Sequence, residues 1–236
     1  MKHSDLHFVN SQEVSDMVHK ARTGFAEWAD SFALCGMHRY NPYHNHKHCQ
    51  FVLNMGASII KHDTGNSCSL EFILAALMHD YDHSGGREDD RVNIKMALEG
   101  VNKAAKHPRM ECINVRVVQM LIEVTQYDGP DKGFKMEPDT RPEAFEQKAI
   151  RDADLMSIYS EHAADMLYGL FIECRIKNKS LKLDDFMAGN RKFLKGARMY
   201  TEYGNEVRER YLDRALATFE REMYKRHPDL CRESYA

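Results

Sequence analysis

Residues 69–83 read SLEFILAALMHDYDH. Leu70, Ile73, Leu74, Leu77 and Met78 recur at the i, i+3, i+4, i+7, i+8 spacing of one helical face. Ser69 stands where the helix wants an N-cap, because its hydroxyl oxygen can accept from a free backbone N–H of the first turn. The apolar run then ends on His79 and Asp80, at the tip of a helix otherwise built for a core. Such a pair is a poor choice for packing and a good one for holding a cation, since a carboxylate can bridge two ions while an imidazole holds one.

The same helical period recurs along the chain. Val14, Met17, Val18, Phe25, Trp28 and Phe32 mark a segment from about Ser11 to Cys35, and Cys49, Val52, Met55, Ile59 and Ile60 mark another from about Asn45 to His62. Further helices are predicted over roughly 90–103, 110–125, 142–159, 160–178, 183–200 and 205–226. Alternating period-2 runs bounded by turns, the mark of strands, are absent. The clearest loops are SGGREDD after His83 and the Gly/Pro/Asp-rich stretch from Tyr127 to Pro142. The expected fold is all-α: one compact multi-helical bundle, with 1–236 as a single domain.

Composition narrows the function. Of 236 residues 43% are hydrophobic and 29% charged, an ordinary globular balance, and a net charge of -3 gives no basic field for long nucleic acid. No run approaches the ~20 apolar residues of a membrane span. The start, MKHSDLHFVN, lacks an apolar signal core. Six scattered cysteines without a C-x-x-C pair suggest reduced thiols, and with the other features a cytoplasmic setting with no membrane partner. Nothing in the sequence speaks to oligomeric state.

Two further segments carry chemistry. In YHNHKHCQ, Tyr43 to Gln50, His44 and His48 share a helical face one turn apart, whereas His46 points elsewhere. In RDADLMSI, Asp152 and Asp154 sit in an apolar helical stretch, with Ile150 and Ile158 four residues to either side of Asp154. A carboxylate on that face is costly to bury unless paired or metal-bound. The paired histidines alone, or the aspartate alone, are more often ordinary polarity. Together, each beside an apolar stripe, the three point to a metal site. Histidines 3, 7, 19, 38, 62, 107, 162 and 227 lack such company and read as surface residues.

These motifs resemble a family. An HNxxH helix, then HDxxH, then an isolated Asp is similar to the HD-domain metal-dependent phosphohydrolases. YHNHKH, ALMHDYDHSGG and DADLMS most resemble the catalytic domain of class I cyclic-nucleotide phosphodiesterases. IEVTQYD (122–128) resembles that family's Ala-Thr-Asp-Met segment, with Gln126 in place of its Asp, and NRKF (190–193) resembles its Gln-x-x-Phe pair. The likeness covers Tyr43 to Phe193, and the metal-site core would lie there. The resemblance implies two divalent ions. The first would be held by His48, His79, Asp80 and Asp154. The second would be bridged by Asp80 and otherwise mostly hydrated. It also implies His44 as general acid, His83 as a further group facing the reaction, and Tyr43, Thr125, Asn190 and Phe193 around a nucleotide. The implied reaction is hydrolysis of a cyclic nucleotide phosphoester by a metal-bridging hydroxide.

The chemistry is coherent in its own terms. Two His and two Asp suit Zn, Mn or Fe at the first position, and a water-rich second position suits Mg or Mn. Paired ions about 3.5–4 Å apart can activate water and offset phosphoryl charge. A histidine near neutral pKa is matched to protonating a leaving alkoxide. The chain is shorter than the usual class I domain, and Asn190 is one methylene shorter than the family's Gln. The substrate therefore stays open among cAMP, cGMP, a cyclic oligonucleotide or another small nucleotide. The alternatives are a nucleotidase or deoxynucleoside triphosphate hydrolase of the same superfamily, and a non-catalytic nucleotide sensor. A di-iron oxygenase ranks lower, because it needs more ligands to its second iron.

Overall fold

A computed structural model describes residues 24–37, 40–127 and 142–228. The first part of the helix expected over 11–35, the loop over 128–141, His3, His7, His19, His38 and Cys231 lie outside the described residues. Every regular element among the described residues is helical, so the all-α expectation is met. In chain order they are α1 (Phe25–Gly36), α2 (His46–Thr64), α3 (Leu70–Met78), α4 (Asp90–Ala104), α5 (Val115–Glu123), α6 (Pro142–Leu155), α7 (Ala163–Lys177), α8 (Leu183–Gly196) and α9 (Glu202–Arg226).

The helices start where short polar side chains can satisfy free N–H groups. Asn45 accepts from the backbone of Lys47 and His48 to open α2, Ser69 accepts from Phe72 N at 2.9 Å to open α3, and Thr201 accepts from Gly204 to open α9. Gly65, at φ 72°, ends α2 in the left-handed conformation that glycine adopts without strain. Asn114 caps α5 through Arg116 and Val117, so the helix expected from 110 begins instead at Val115, after a short 3₁₀ turn at Pro108–Met110. The helix expected over 142–159 tightens into a 3₁₀ turn after Leu155. The one expected over 183–200 stops at Gly196.

α3 is apolar all round and is buried from Phe72 to Met78, which makes it the centre of the bundle. α1, α2 and α5 pack around it, and α6 lies along α2. At the α2–α3 crossing, a methyl at Gly56 would meet the Phe72 ring, so the glycine permits the close approach. This arrangement brings the first turn of α2, the C-terminal end of α3 and the last turn of α6 to one place.

Candidate metal centre

His48 projects from the first turn of α2, His79 and Asp80 from the residues just past α3, and Asp154 from the last turn of α6. Their ligand atoms converge. His48 Nε2 lies 3.0 Å from Asp154 Oδ1 and 3.5 Å from Asp80 Oδ2. His79 Nε2 lies 3.3 Å from Asp80 Oδ2, 3.7 Å from Asp154 Oδ1 and 3.3 Å from His48 Nε2. His48, His79 and Asp80 are all buried.

The His79 tautomer suits a metal. His79 Nδ1 lies 2.9 Å from the Ala76 carbonyl, to which it can only donate, so the neutral ring directs its Nε2 lone pair into the cluster. Asp80 Oδ2 is buried without a hydrogen-bond partner. Lone pairs of two imidazoles and two carboxylates facing one another at these distances need a positive charge between them. Protons supply it otherwise. Burial alone would push His79 down, yet Asp80 and its other neighbours hold it well above the ordinary imidazole value. Burial likewise opposes ionisation of the two aspartates, but the imidazoles bring Asp80 down to about 2 and hold Asp154 well below the usual carboxylate range. His48, His79 and Asp80 therefore could hold a metal ion, with Asp154 Oδ1 beside them at 3.0 Å from His48 Nε2.

A second group shares Asp80: His44 and His83 bring ligand atoms within 4.8 Å of it and of each other. The two rings stack at 3.7 Å between centroids. Their fates differ because their other nitrogens differ. His44 Nδ1 pairs with Glu173 Oε2, while Glu173 Oε1 accepts from the backbone N–H of Tyr43 at 2.8 Å and of His44 at 3.1 Å. Burial pulls His44 down, but Asp80, Glu173 and Asp154 outweigh it and raise the ring to about 8. His83 Nδ1 instead accepts from Gly85 N at 3.0 Å, which places the proton of the neutral ring on Nε2. Burial, aided by the charge of His44, lowers His83 to about 3 and keeps it neutral. His44 can carry a proton to the site, whereas His83 is a fixed neutral donor.

Tyr43, Asn190 and Phe193 line one pocket together with Asp154, Ser157 and Leu194. Tyr43 Oη is 3.0 Å from Ser157 Oγ, and burial followed by the charge of Asp154 raises its phenol, which stays protonated. Asn190 Nδ2 is buried without a protein partner. Phe193 meets Tyr127 edge to face at 5.3 Å. Thr125 is buried, its hydroxyl donating to Ile122 O at 2.8 Å, and it stands outside that lining. His46 turns to Asp30 on α1 at 2.8 Å, away from the site. Arg87, in the loop after His83, folds back on Ser84 O at 2.7 Å.

In comparisons with protein-family models, curated proteins and solved structures, nothing matches this chain.

Sequence reasoning missed Glu173. It is buried at 1% exposure on α7, inside the run LYGLFIECRI, where a lone carboxylate among apolar residues was the available signal. Asp152 is the opposite case. Legible beside Asp154, it faces away and receives Tyr200 N, Thr201 N and Thr201 Oγ1 at 2.6–3.1 Å, tying α6 to the start of α9. No helix among the described residues is long and apolar enough to cross a membrane, and Cys35, Cys49, Cys68, Cys112 and Cys174 are free thiols.

Proposed function

We propose that this protein is a metal-dependent phosphodiesterase that opens a cyclic nucleotide phosphoester. The observation that carries the reading is the buried group of His48, His79 and Asp80, with Asp154 Oδ1 3.0 Å from His48 Nε2, set beside a protonatable His44 backed by a buried carboxylate. His48, His79, Asp80 and Asp154 would hold a first ion of the Zn, Mn or Fe type. Asp80 would also face a second of the Mg or Mn type. Bound there, the ions supply Lewis acidity and a water acidic enough to act as nucleophile near neutral pH.

The protein's own residues do the rest. Glu173 fixes His44 through Nδ1 and favours its charged form, so Nε2 carries the proton that the departing ribose oxygen needs. His83, neutral with its proton on Nε2, donates toward the same space without competing as a ligand. Tyr43, Asn190 and Phe193 offer a pocket that shares a wall with Asp154, so a base seated there leaves its phosphate at the cation site. Asn190 has a free buried amide donor for a base edge, and the Phe193 ring gives the base a face to stack on.

The test is incubation of the purified protein with Mn²⁺ and a panel of cyclic and linear nucleotides, with products identified by mass. A ring-opened monophosphate is expected, and His44→Ala should remove it while leaving metal content intact. Inorganic phosphate or triphosphate as product would replace this reading with a nucleotidase or triphosphate hydrolase. Metal-loaded protein that leaves the whole panel intact would overturn the enzyme reading.

A further inference from the structure

We infer that Tyr81 is a positioning residue of the metal centre: its ring is a wedge between α1 and α4 that sets where Asp80 points. The inference rests on Asp80 being a metal ligand. Within HDYDH, Asp80 and His83 turn inward to the site, and Tyr81 between them turns outward into a slot between two helices. Both walls of that slot are bare backbone. A methyl at Gly36 on α1 or at Gly100 on α4 would land on the Tyr81 ring. Gly100 lies inside α4, where glycine is a poor helix former, so something other than helix propensity accounts for it. Phe32 stacks on the ring at 6.0 Å and the Lys103 ammonium lies 5.8 Å from its centroid.

The backbone is pinned to the same wall. Asp82 N donates to Gly36 O at 3.0 Å, and Asp82, at φ 59°, is the one non-glycine among the described residues in the left-handed region. Tyr81 N to Met78 O at 2.9 Å and His83 N to Asp80 O at 3.1 Å close the turn. Asp80 Oδ2, by contrast, accepts no hydrogen bond from the protein. On the inner side that carboxylate faces imidazole nitrogens, His79 Nε2 at 3.3 Å and His48 Nε2 at 3.5 Å, and it also takes its direction from a turn anchored on the outer side by Tyr81. Outer partners of this kind tune metal sites by orienting the ligands themselves.

The experiment compares Mn²⁺ affinity by calorimetry and the visible spectrum of the Co²⁺-loaded protein in the wild type, Tyr81→Ala, Tyr81→Phe, Gly100→Ala and the Tyr81→Ala/Gly100→Ala double variant. Tyr81→Ala should weaken Mn²⁺ binding about 10–100-fold and alter the Co²⁺ spectrum. Tyr81→Phe, which keeps the wedge, should stay within about threefold of wild type. Gly100→Ala keeps the tyrosine but blocks its slot, and should also weaken binding. The double variant should be no worse than Tyr81→Ala, since no ring remains to displace. Tyr81→Leu serves where Tyr81→Ala does not fold. A folded Tyr81→Ala or Tyr81→Leu protein with wild-type Mn²⁺ affinity and Co²⁺ spectrum overturns the wedge alone, as do additive losses in the double variant. A wild type that takes up neither ion overturns the metal reading and the wedge with it.

Discussion

Asp152 and Asp154 stand two residues apart on α6, the first fully buried and the second partly so, and they do opposite things. Asp152 faces donors: two backbone N–H groups and a hydroxyl at the head of α9 saturate it. Asp154 faces imidazoles: the Nε2 atoms of His48 and His79 lie 3.0 and 3.7 Å from its Oδ1. Their titration follows suit. Burial outweighs the hydrogen bonds at Asp152 and lifts it to about 6, whereas the imidazoles overcome burial at Asp154 and drive it far down. A carboxylate saturated by backbone N–H groups is a latch; one that meets imidazoles, whose protons a cation can replace, is a candidate metal ligand.

The largest expected effect separates the two. Asp154→Ala should lose at least about 100-fold in Mn²⁺ affinity, beyond the 10–100-fold typical of residues that only support a ligand, and lose nucleotide turnover with it. Asp152→Ala should instead lose about 3 kcal/mol of stability from stranded donors, seen as a Tm roughly 6–12 °C lower. The metal-induced rise in Tm decides the matter. It should survive in Asp152→Ala and vanish in Asp154→Ala. The reverse pattern would break the comparison.

Next comes the dependence on pH. The raised His79 holds a proton that a metal must displace, so Mn²⁺ affinity should climb as pH rises through neutrality, with proton uptake by the buffer measurable by calorimetry. The sign for the metal-free fold is opposite. A raised imidazole contributes stability that is full below its unfolded value near 6.5 and fades as pH rises through the folded one. Alkaline solution should therefore lower the Tm of metal-free protein more than that of loaded protein. Asp152→Asn should leave the affinity slope unchanged.

Glu173 sharpens the comparison from a third side, as a carboxylate that meets both backbone N–H groups and an imidazole. Glu173→Gln should slow turnover about 10–100-fold with little change in KM. It should also move the alkaline limb of the rate profile, expected near the His44 value of about 8, toward more acidic pH. The smallest effect belongs to His46, whose partner Asp30 is partly exposed. His46→Ala should cost less than about 1 kcal/mol and leave turnover within about twofold.

Much of this site was legible before any fold was known, and for a physical reason. His48, His79, Asp80 and Asp154 each interrupt an apolar helical stripe, and a polar group on a core face is conspicuous against its neighbours. Thr125 and Asn190 had no such contrast. Only Asn190 came to line the pocket with Tyr43 and Phe193, while Thr125 spends its hydroxyl on the carbonyl of Ile122. Glu173 did interrupt an apolar run, but no second feature nearby told which partner it would meet, and that partner lies 129 positions away.

What the sequence by itself determined is local: where helices run, where Asn45, Ser69, Asn114 and Thr201 begin them, and which helical ends carry imidazoles and carboxylates. Spacing and capping act over one or two turns, within reach of the chain's own order. The tertiary structure alone decided that Asp152 would meet the head of α9. It alone decided that Glu173 would claim His44, and that Tyr81 would find Gly36 and Gly100. Those outcomes depend on how α6, α7, α1 and α4 pack against α2 and α3, and a buried carboxylate takes its charge state and its task from what that packing sets in front of it.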